Sequence, residues 1–201
     1  MAWDIAETRR RLQAAATEEF AEHGLSGTTV DRIARRAGVN KERLYHYFGD
    51  KEKLFELVLQ DELARIAKAV PLASVRDQDV GEFAGLVFDY HLQHPQLVRL
   101  LHWEGLTYTG STAGHAERTR YYREKVEAFA AGQSQGRLAV DIETAHLVFM
   151  VIALAAWWFA APQVIAMLTG GAGDSAAERA QQRQSLITAA RRLATPDPAA
   201  G

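Results

Sequence analysis

Apolar residues recur at intervals of three and four along nearly the whole chain, and runs that alternate between apolar and polar residues are scarce. That spacing is typical of amphipathic α-helices and disfavours β-strands. Prolines at positions 71, 95, 162, 196 and 198 interrupt the pattern. The pattern predicts an all-α protein, with helices at about residues 5–23, 29–37, 41–48, 51–69, 79–93, 95–104, 115–131, 141–161 and 175–194.

Residues that begin and end helices support the first three of these boundaries. Gly24 is placed to end the first helix, because glycine adopts the left-handed conformation that closes a last turn. Thr28, with Asp31 three residues later, resembles a capping box for the second helix. Gly38 is expected to end that helix, and Asn40 to cap the third.

The second and third predicted helices are joined by a turn too short for them to lie antiparallel, so they must cross at a steep angle. Ala34 is small enough for the close approach, and Gly38 supplies the turn. Four apolar residues have the spacing that fills the angle between the helices, namely Ile33, Val39, Leu44 and Tyr47. This is the helix-turn-helix pattern, in which the second helix enters the major groove of DNA.

The segment from Phe20 to Phe55 resembles the TetR family of transcriptional regulators. The matching stretches are FAEHGLSGTTV (20–30), IARRAGV (33–39), LYHYF (44–48) and KEKLF (51–55). The resemblance implies a three-helix DNA-binding domain at 1–50 and a larger helical effector-binding and dimerisation domain at 51–195. We expect a disordered tail at 196–201, where two prolines prevent further helix. Asn40-Lys41-Glu42-Arg43 departs from the serine and small pair of many members, so a relative's operator sequence does not transfer.

The resemblance and the residue chemistry together predict a DNA-contact surface. Asn40, Lys41, Glu42 and Arg43 open the third helix, and these side-chain types suit base edges in the major groove. Thr28 and Thr29 stand at a helix N-terminus, which suits a phosphate. The remaining predicted contacts match family positions beside the backbone or groove: Tyr45, His46, Tyr47 and Lys51.

Charge supports this placement locally but not globally. The net formal charge is −2, which alone disfavours a nucleic-acid binder. From Arg32 to His46, however, five basic residues stand against Glu42 alone. We therefore expect the positive potential to be confined to one short stretch of the chain.

The C-terminal helices are predicted to join two copies of the chain, since helix-turn-helix dimers read palindromic operators. In the last helix small residues recur at intervals of four and three, as at a close helix contact. In the TetR family the last two helices form a four-helix bundle across the dimer. The predicted interface comprises Trp157, Ala176, Ala180, Arg183, Ile187, Ala190 and Ala194.

About 80 residues between these regions are not needed for DNA binding, and the resemblance assigns them a small-molecule pocket. Candidate lining residues are His102, Trp103, Glu104, Tyr108, Tyr121, Tyr122, Phe129 and His146. This mixture suits an apolar or aromatic effector with one or two hydrogen-bonding groups. The family then implies a cytoplasmic repressor that an effector releases from DNA; the alternative is a DNA-binding regulator without a small-molecule effector.

Other classes of protein have weaker support. The chain has no cysteine, which excludes disulfides and thiolate chemistry, and we expect neither a cofactor nor a metal. Gly132 to Gly136 fits the G-x-S-x-G motif of hydrolases, but a predicted helix precedes it where that motif needs a strand. His91 and His94 are interpreted as a surface pair rather than metal ligands. Thr144 to Gly173 lacks charged residues, but Pro162 divides it, which favours a buried helix over a membrane span.

Overall fold

The structure is a computed structural model that describes residues 2–76, 79–107, 115–171 and 175–196. All regular secondary structure in these ranges is helical, which confirms the predicted all-α class. The helices are α1 (Ala2–Gly27), α2 (Val30–Ala37), α3 (Lys41–Phe48), α4 (Lys51–Ala69), α5 (Ala73–Arg76), α6 (Val80–Gln93), α7 (Gln96–Leu106), α8 (His115–Ser134), α9 (Thr144–Ala160), α10 (Pro162–Thr169) and α11 (Ala176–Ala194).

Two short helices, α5 and α10, were not predicted. Pro162 is the first residue of α10, a position where proline is favoured because its missing N–H would have no partner in the helix. The segment predicted to end at Pro162 therefore continues as a second helix after a break. No single described helix is long and apolar enough to cross a membrane, although α9 and α10 together pass on length and composition and are bent by 79°.

The chain divides into two compact units. Unit 1 comprises Met1–Arg65 and Pro95–His115, and unit 2 comprises Ile66–His94 and Ala116–Gly201. The division between the units falls inside α4 and places α7 in the first unit, while the functional domains 1–50 and 51–195 stay a prediction. The tail beyond Pro196 lies outside the described residues.

Unit 1 is built on an apolar core shared by α1, α2, α3 and α4. The rings of Phe20 and Phe55 meet edge to face with centroids 5.1 Å apart. Fully or almost fully buried side chains surround them: Leu12, Ala16, Ile33, Leu44, Leu54 and Val58. Leu12, Ala16 and Phe20 recur every four residues in α1, and Leu54 and Val58 are four apart in α4, so one face of each of these two helices points into the core.

The contact between α1 and α7 explains why α7 belongs to unit 1. Gly24 has φ +67° and a non-helical backbone, so the first regular stretch of α1 ends there in a kink, as predicted, and a short helical stretch continues to Gly27. The indole of Trp103 lies against this kink, where a Cβ on Gly24 would come within 2.7 Å of the ring. Its Nε1–H donates to the Ala21 carbonyl oxygen at 3.3 Å.

In unit 2, α6 packs against both α9 and α11. Gly81 and Gly85 leave room for α11, because a Cβ on Gly81 would lie 2.8 Å from the Ile187 carbonyl oxygen. Two ion pairs flank this close approach: Arg183 Nε lies 2.9 Å from Asp89 Oδ1, and Arg191 Nη2 lies 2.7 Å from Asp79 Oδ2. The Arg191 hydrogen bond holds the pKa of Asp79 below its ordinary value.

The G-x-S-x-G stretch does not form a hydrolase turn. Gly132 lies inside α8, close to the Leu138 side chain, and Ser134 Oγ donates to the Ala131 carbonyl oxygen of the same helix. Helix, rather than strand, precedes the serine, as expected from the sequence. Within the described residues no group of three or more histidines and carboxylates could hold a metal ion.

Candidate nucleic-acid interface

Helices α2 and α3 are set by capping residues at both ends. Thr29 Oγ1 accepts from the Arg32 N–H at 3.3 Å, so Thr29 rather than Thr28 caps α2. Gly38 ends α2 in the left-handed conformation with φ +63°, and Asn40 Oδ1 accepts from the Glu42 N–H at 3.3 Å to begin α3. Two capped helices therefore lie on either side of a very short turn.

The predicted steep crossing rests on the residues that the sequence indicated. Ala34 is 5% exposed, and Ile33 and Leu44 are fully buried. Glycine is favoured at position 38 because its φ of +63° is a conformation that residues with a side chain rarely adopt. The core thus holds one face of α3 inside unit 1 and leaves the opposite face in solvent.

Most of the predicted DNA contacts lie on this exposed side. Thr29, Asn40, Lys41, Glu42, Arg43, Tyr45 and His46 are exposed, and Tyr47 is half-buried. Two of the cations already have weak partners within the protein: Lys41 Nζ lies 3.4 Å from Asp31 Oδ1, and Arg43 Nη1 lies 3.3 Å from Thr8 Oγ1. The Lys41–Asp31 pair is exposed and therefore weak, so Lys41 can move to another partner, whereas the Arg43 contact is part-buried because Thr8 is buried.

Thr28 does not fit its predicted role as a phosphate contact. Its side chain is completely buried, and Oγ1 donates to the Glu19 carbonyl oxygen at 2.9 Å. The hydroxyl therefore fastens the α1–α2 connection from inside. The adjacent threonine carries both the cap and the exposed hydroxyl.

Lys51, at the start of α4, holds the same connection from another side. Its Nζ donates to the Leu25 carbonyl oxygen at 2.7 Å and to the Thr28 carbonyl oxygen at 3.0 Å. The half-buried ammonium thus neutralises carbonyl dipoles at the α1–α2 turn. Lys51, which the family resemblance predicts as a DNA contact, therefore also helps to hold the start of α2 in place.

The local positive charge is smaller than the sequence count indicated. Arg32 Nε and Arg36 Nε each lie 2.9 Å from a different oxygen of the buried Glu19 carboxylate. Arg36 also pairs with Glu18 at 2.8 Å and Glu22 at 3.3 Å. These two arginines therefore dock α2 onto α1, and the exposed positive charge is left to the rest of the stretch.

Sequence reasoning missed Glu19 as an organising residue. The available signal was the acidic spacing 18, 19 and 22 on one helix and the basic pair 32 and 36 on the next. A carboxylate on the apolar side of α1, between buried Ala16 and Phe20, needs a charged partner. That rule points to the arginines of α2.

A pair of capped short helices joined by a very short turn, with a polar exposed second helix, is typical of a helix-turn-helix DNA-binding protein. Residues 12–58 match the bacterial regulatory proteins of the tetR family, and residues 79–192 match the tetracyclin repressor-like C-terminal domain. The chain belongs to the TetR family of transcriptional regulators, which are not enzymes.

Similar proteins include the HTH-type transcriptional repressor SCO4008 of Streptomyces coelicolor, which is 39% identical over 191 residues, covering 94% of this chain and 96% of the relative. The crystal structure of the transcriptional regulator SCO4942, also from Streptomyces coelicolor, has a TM-score of 0.78 and 31% identity, covering 93% of this chain and 98% of that one. The fold is also that of AibR, solved with isovaleryl coenzyme A and operator DNA, at a TM-score of 0.66 and 20% identity, covering 91% of this chain and 97% of AibR.

The predicted effector residues are divided between the two units, and their role stays a prediction. His102, Trp103 and Glu104 belong to α7 of unit 1, where the Trp103 indole packs on α1. Phe129 is fully buried in unit 2, 6.0 Å from the Phe83 ring, whereas His146 is exposed beside Glu143. Tyr121 and Tyr122 are partly exposed on α8, and Tyr108 lies outside the described residues.

The predicted dimer seam on α11 lies only partly at the surface of its unit. Ile187, Ala190 and Ala194 are buried within their own unit, and Arg183 pairs with Asp89 of α6. The small-residue spacing was real, but its partner is the glycine face of α6. Ala176 and Ala180 are exposed, as is Trp157 of α9.

Proposed function

We propose that the protein is a ligand-responsive repressor that binds a palindromic operator as a homodimer and is released by a small apolar or aromatic effector. The carrying observation is the exposed first turn of α3, with Lys41, Glu42 and Arg43 presented on a capped helix. The repressor SCO4008, similar over nearly its whole length, supports the direction of control. Because its target is chromosomal DNA, the protein acts in the cytoplasm.

Within this proposal the contacts divide by position. Asn40, Lys41, Glu42 and Arg43 read base edges, because a recognition helix places its N-terminal residues in the major groove. Thr29, Tyr45, His46, Tyr47 and Lys51 contact or flank the DNA backbone. Phosphate contacts fix the register of the protein on DNA, and base contacts supply the sequence preference.

The proposed dimer uses the apolar stripe of α9. Phe149 and Trp157, eight residues apart, are 71% and 61% exposed, and Ala153 lies exposed between them. A stripe at this spacing covers one side of a helix, and large contiguous apolar surface is typical of association sites. Ala176 and Ala180, exposed at the start of α11, extend the proposed interface.

An effector would act by favouring a conformation in which the distance between the two α3 helices of the dimer no longer matches successive major grooves of the DNA. AibR, a protein of this fold, has been solved with both an acyl-coenzyme A and operator DNA, which supports the idea that the fold can hold both. For this chain we propose only the class of ligand, an apolar or aromatic molecule.

The proposal is tested on purified protein with random genomic fragments. Fragments that remain bound at physiological salt should share an imperfect palindrome whose half-sites lie about 34 Å apart or a further turn apart. A thermal-shift screen of apolar compounds should then find one that both stabilises the protein and weakens operator binding. A compound that stabilises the protein and leaves operator affinity unchanged is not an inducer; absence of any sequence preference contradicts the repressor proposal itself.

A further inference from the structure

His91 is a buried histidine with one ring nitrogen, Nδ1, that lacks a hydrogen-bond partner in the described part of the chain. It lies near the C-terminal end of α6 in unit 2 and is 3% exposed. Its Nδ1 is fully buried and has no hydrogen-bond partner among the described residues. The expected surface pair with His94 is therefore wrong, because only His94 is partly exposed.

The surroundings of His91 are aromatic. The ring centroid of Phe159, from α9, lies 5.9 Å away, and that of Tyr90 lies 6.1 Å away. Phe88, one turn earlier on α6, joins the same group, with its centroid 5.0 Å from Phe159 and 6.4 Å from Trp158. We call Phe88, His91, Trp158 and Phe159 the aromatic group of unit 2.

Burial lowers the pKa of His91 to about 4, so the imidazole is neutral at neutral pH. A neutral imidazole carries one N–H donor and one acceptor nitrogen. It can therefore exchange hydrogen bonds with a neutral polar group, and its apolar surroundings disfavour any arrangement that would place a charge on it.

A purely structural role does not explain this residue. Buried polar atoms in folded proteins are nearly always hydrogen-bonded, because leaving one without a partner costs stability. The same face of α6 carries the buried apolar residues Phe83, Val87 and Phe88. A leucine at position 91 would continue this face without leaving a polar atom unpartnered. An unpartnered polar atom retained at a cost is expected where a ligand supplies the missing partner.

We propose that His91 is the polar anchor of the effector site, and that the effector is an aromatic molecule carrying one neutral hydrogen-bonding group such as a hydroxyl or ring N–H. The aromatic rings receive the apolar body, and the imidazole fixes its orientation through one hydrogen bond. This inference rests on the proposed ligand response and names the chemistry of the ligand. His91 is not among the residues that the sequence predicted to line the pocket.

The test compares phenol and toluene, which have nearly the same shape and differ by the hydroxyl group. Affinities of both for the full-length protein are measured by calorimetry and by thermal shift, in the wild type and in His91→Leu. We expect the wild type to bind phenol about fivefold more tightly than toluene, the effect of one net hydrogen bond. In His91→Leu the ratio should fall to about one, and His91→Gln, which keeps a donor and an acceptor, should retain part of it.

His94→Leu is the matched control, because it removes an imidazole one turn away that is stacked on Tyr90 with centroids 4.6 Å apart. The phenol preference should survive in this variant. Equal binding of phenol and toluene by the wild type, binding of neither, or a preference that persists in His91→Leu would each overturn the proposal. Operator binding is measured on the same wild-type protein: a protein that shows the phenol effect but binds no operator would refute the proposed function and leave this site in place.

Discussion

Glu18 and Glu19 are adjacent carboxylates that pair with the same arginine and differ in burial. Glu19 Oε1 lies 2.9 Å from Arg36 Nε, and Glu18 Oε2 lies 2.8 Å from Arg36 Nη1. The Glu19 side chain is 4% exposed and the Glu18 side chain is 63% exposed. Replacing each by glutamine removes one negative charge at nearly constant shape, so the pair isolates the effect of burial.

The two substitutions should differ strongly in their effect on the free energy of unfolding. Breaking a buried ion pair costs about 3–5 kcal/mol when the partner charge stays buried. Arg32 and Arg36 are each about one-third exposed and can regain water, so we expect a smaller loss of about 2 kcal/mol for Glu19→Gln. Glu18→Gln should change stability by no more than about 0.5 kcal/mol.

Urea unfolding at one fixed protein concentration measures both values, with the slope m expected to stay constant so that the midpoint reports stability. Operator affinity should follow the same order, because Glu19 holds α2 against α1 and thereby sets the position of α3. Equal losses in the two variants, or a loss confined to Glu18→Gln, would refute the assignment of Glu19 as the buried link between these helices.

Three further predictions follow from single contacts. Arg43→Ala should change base preference at particular operator positions, whereas Lys51→Ala should weaken binding to all sequences about equally; uniform losses in both, measured across an operator library, would contradict the placement of α3 in the groove. Gly81→Ala should destabilise the protein by about 1–3 kcal/mol, because its Cβ would lie 2.8 Å from a backbone carbonyl oxygen of α11. Gly105→Ala, whose Cβ would have no atom within 4 Å, should stabilise it by up to about 1 kcal/mol. Equal changes in the thermal stability of the two variants would contradict the close approach of α6 and α11. The pKa of His91 is about 4 in the folded protein and ordinarily 6.5, so between pH 6.5 and 4 only the unfolded chain takes up this proton. The free energy of unfolding should therefore fall by up to about 3 kcal/mol as the pH drops through that window. His91→Leu should remove that part of the pH dependence, measured by urea unfolding.

The sequence predicted the helical class and the helix-turn-helix because both depend on local signals. The residues that cap α2 and α3, the small Ala34 at the crossing and the apolar spacing lie within about twenty consecutive positions. The cap at Thr28 was displaced by one residue, because two adjacent threonines offer the same hydroxyl and only burial distinguishes them.

Contacts between distant segments were harder to predict. The spacing of Ile187, Ala190 and Ala194 correctly indicated a close helix contact, but periodicity does not identify the partner helix, and here Gly81 and Gly85 of α6 take that place. Trp103 likewise shows no sign in the sequence of its contact with α1, which depends on the left-handed kink at Gly24.

The central claim is that the protein binds a palindromic operator as a symmetric homodimer. Sedimentation of the protein with its recovered operator tests this claim most directly. We expect two protomers on one imperfect palindrome, and loss of stable binding when either half-site is randomised. A single protomer bound to an asymmetric site with undiminished affinity would contradict the account.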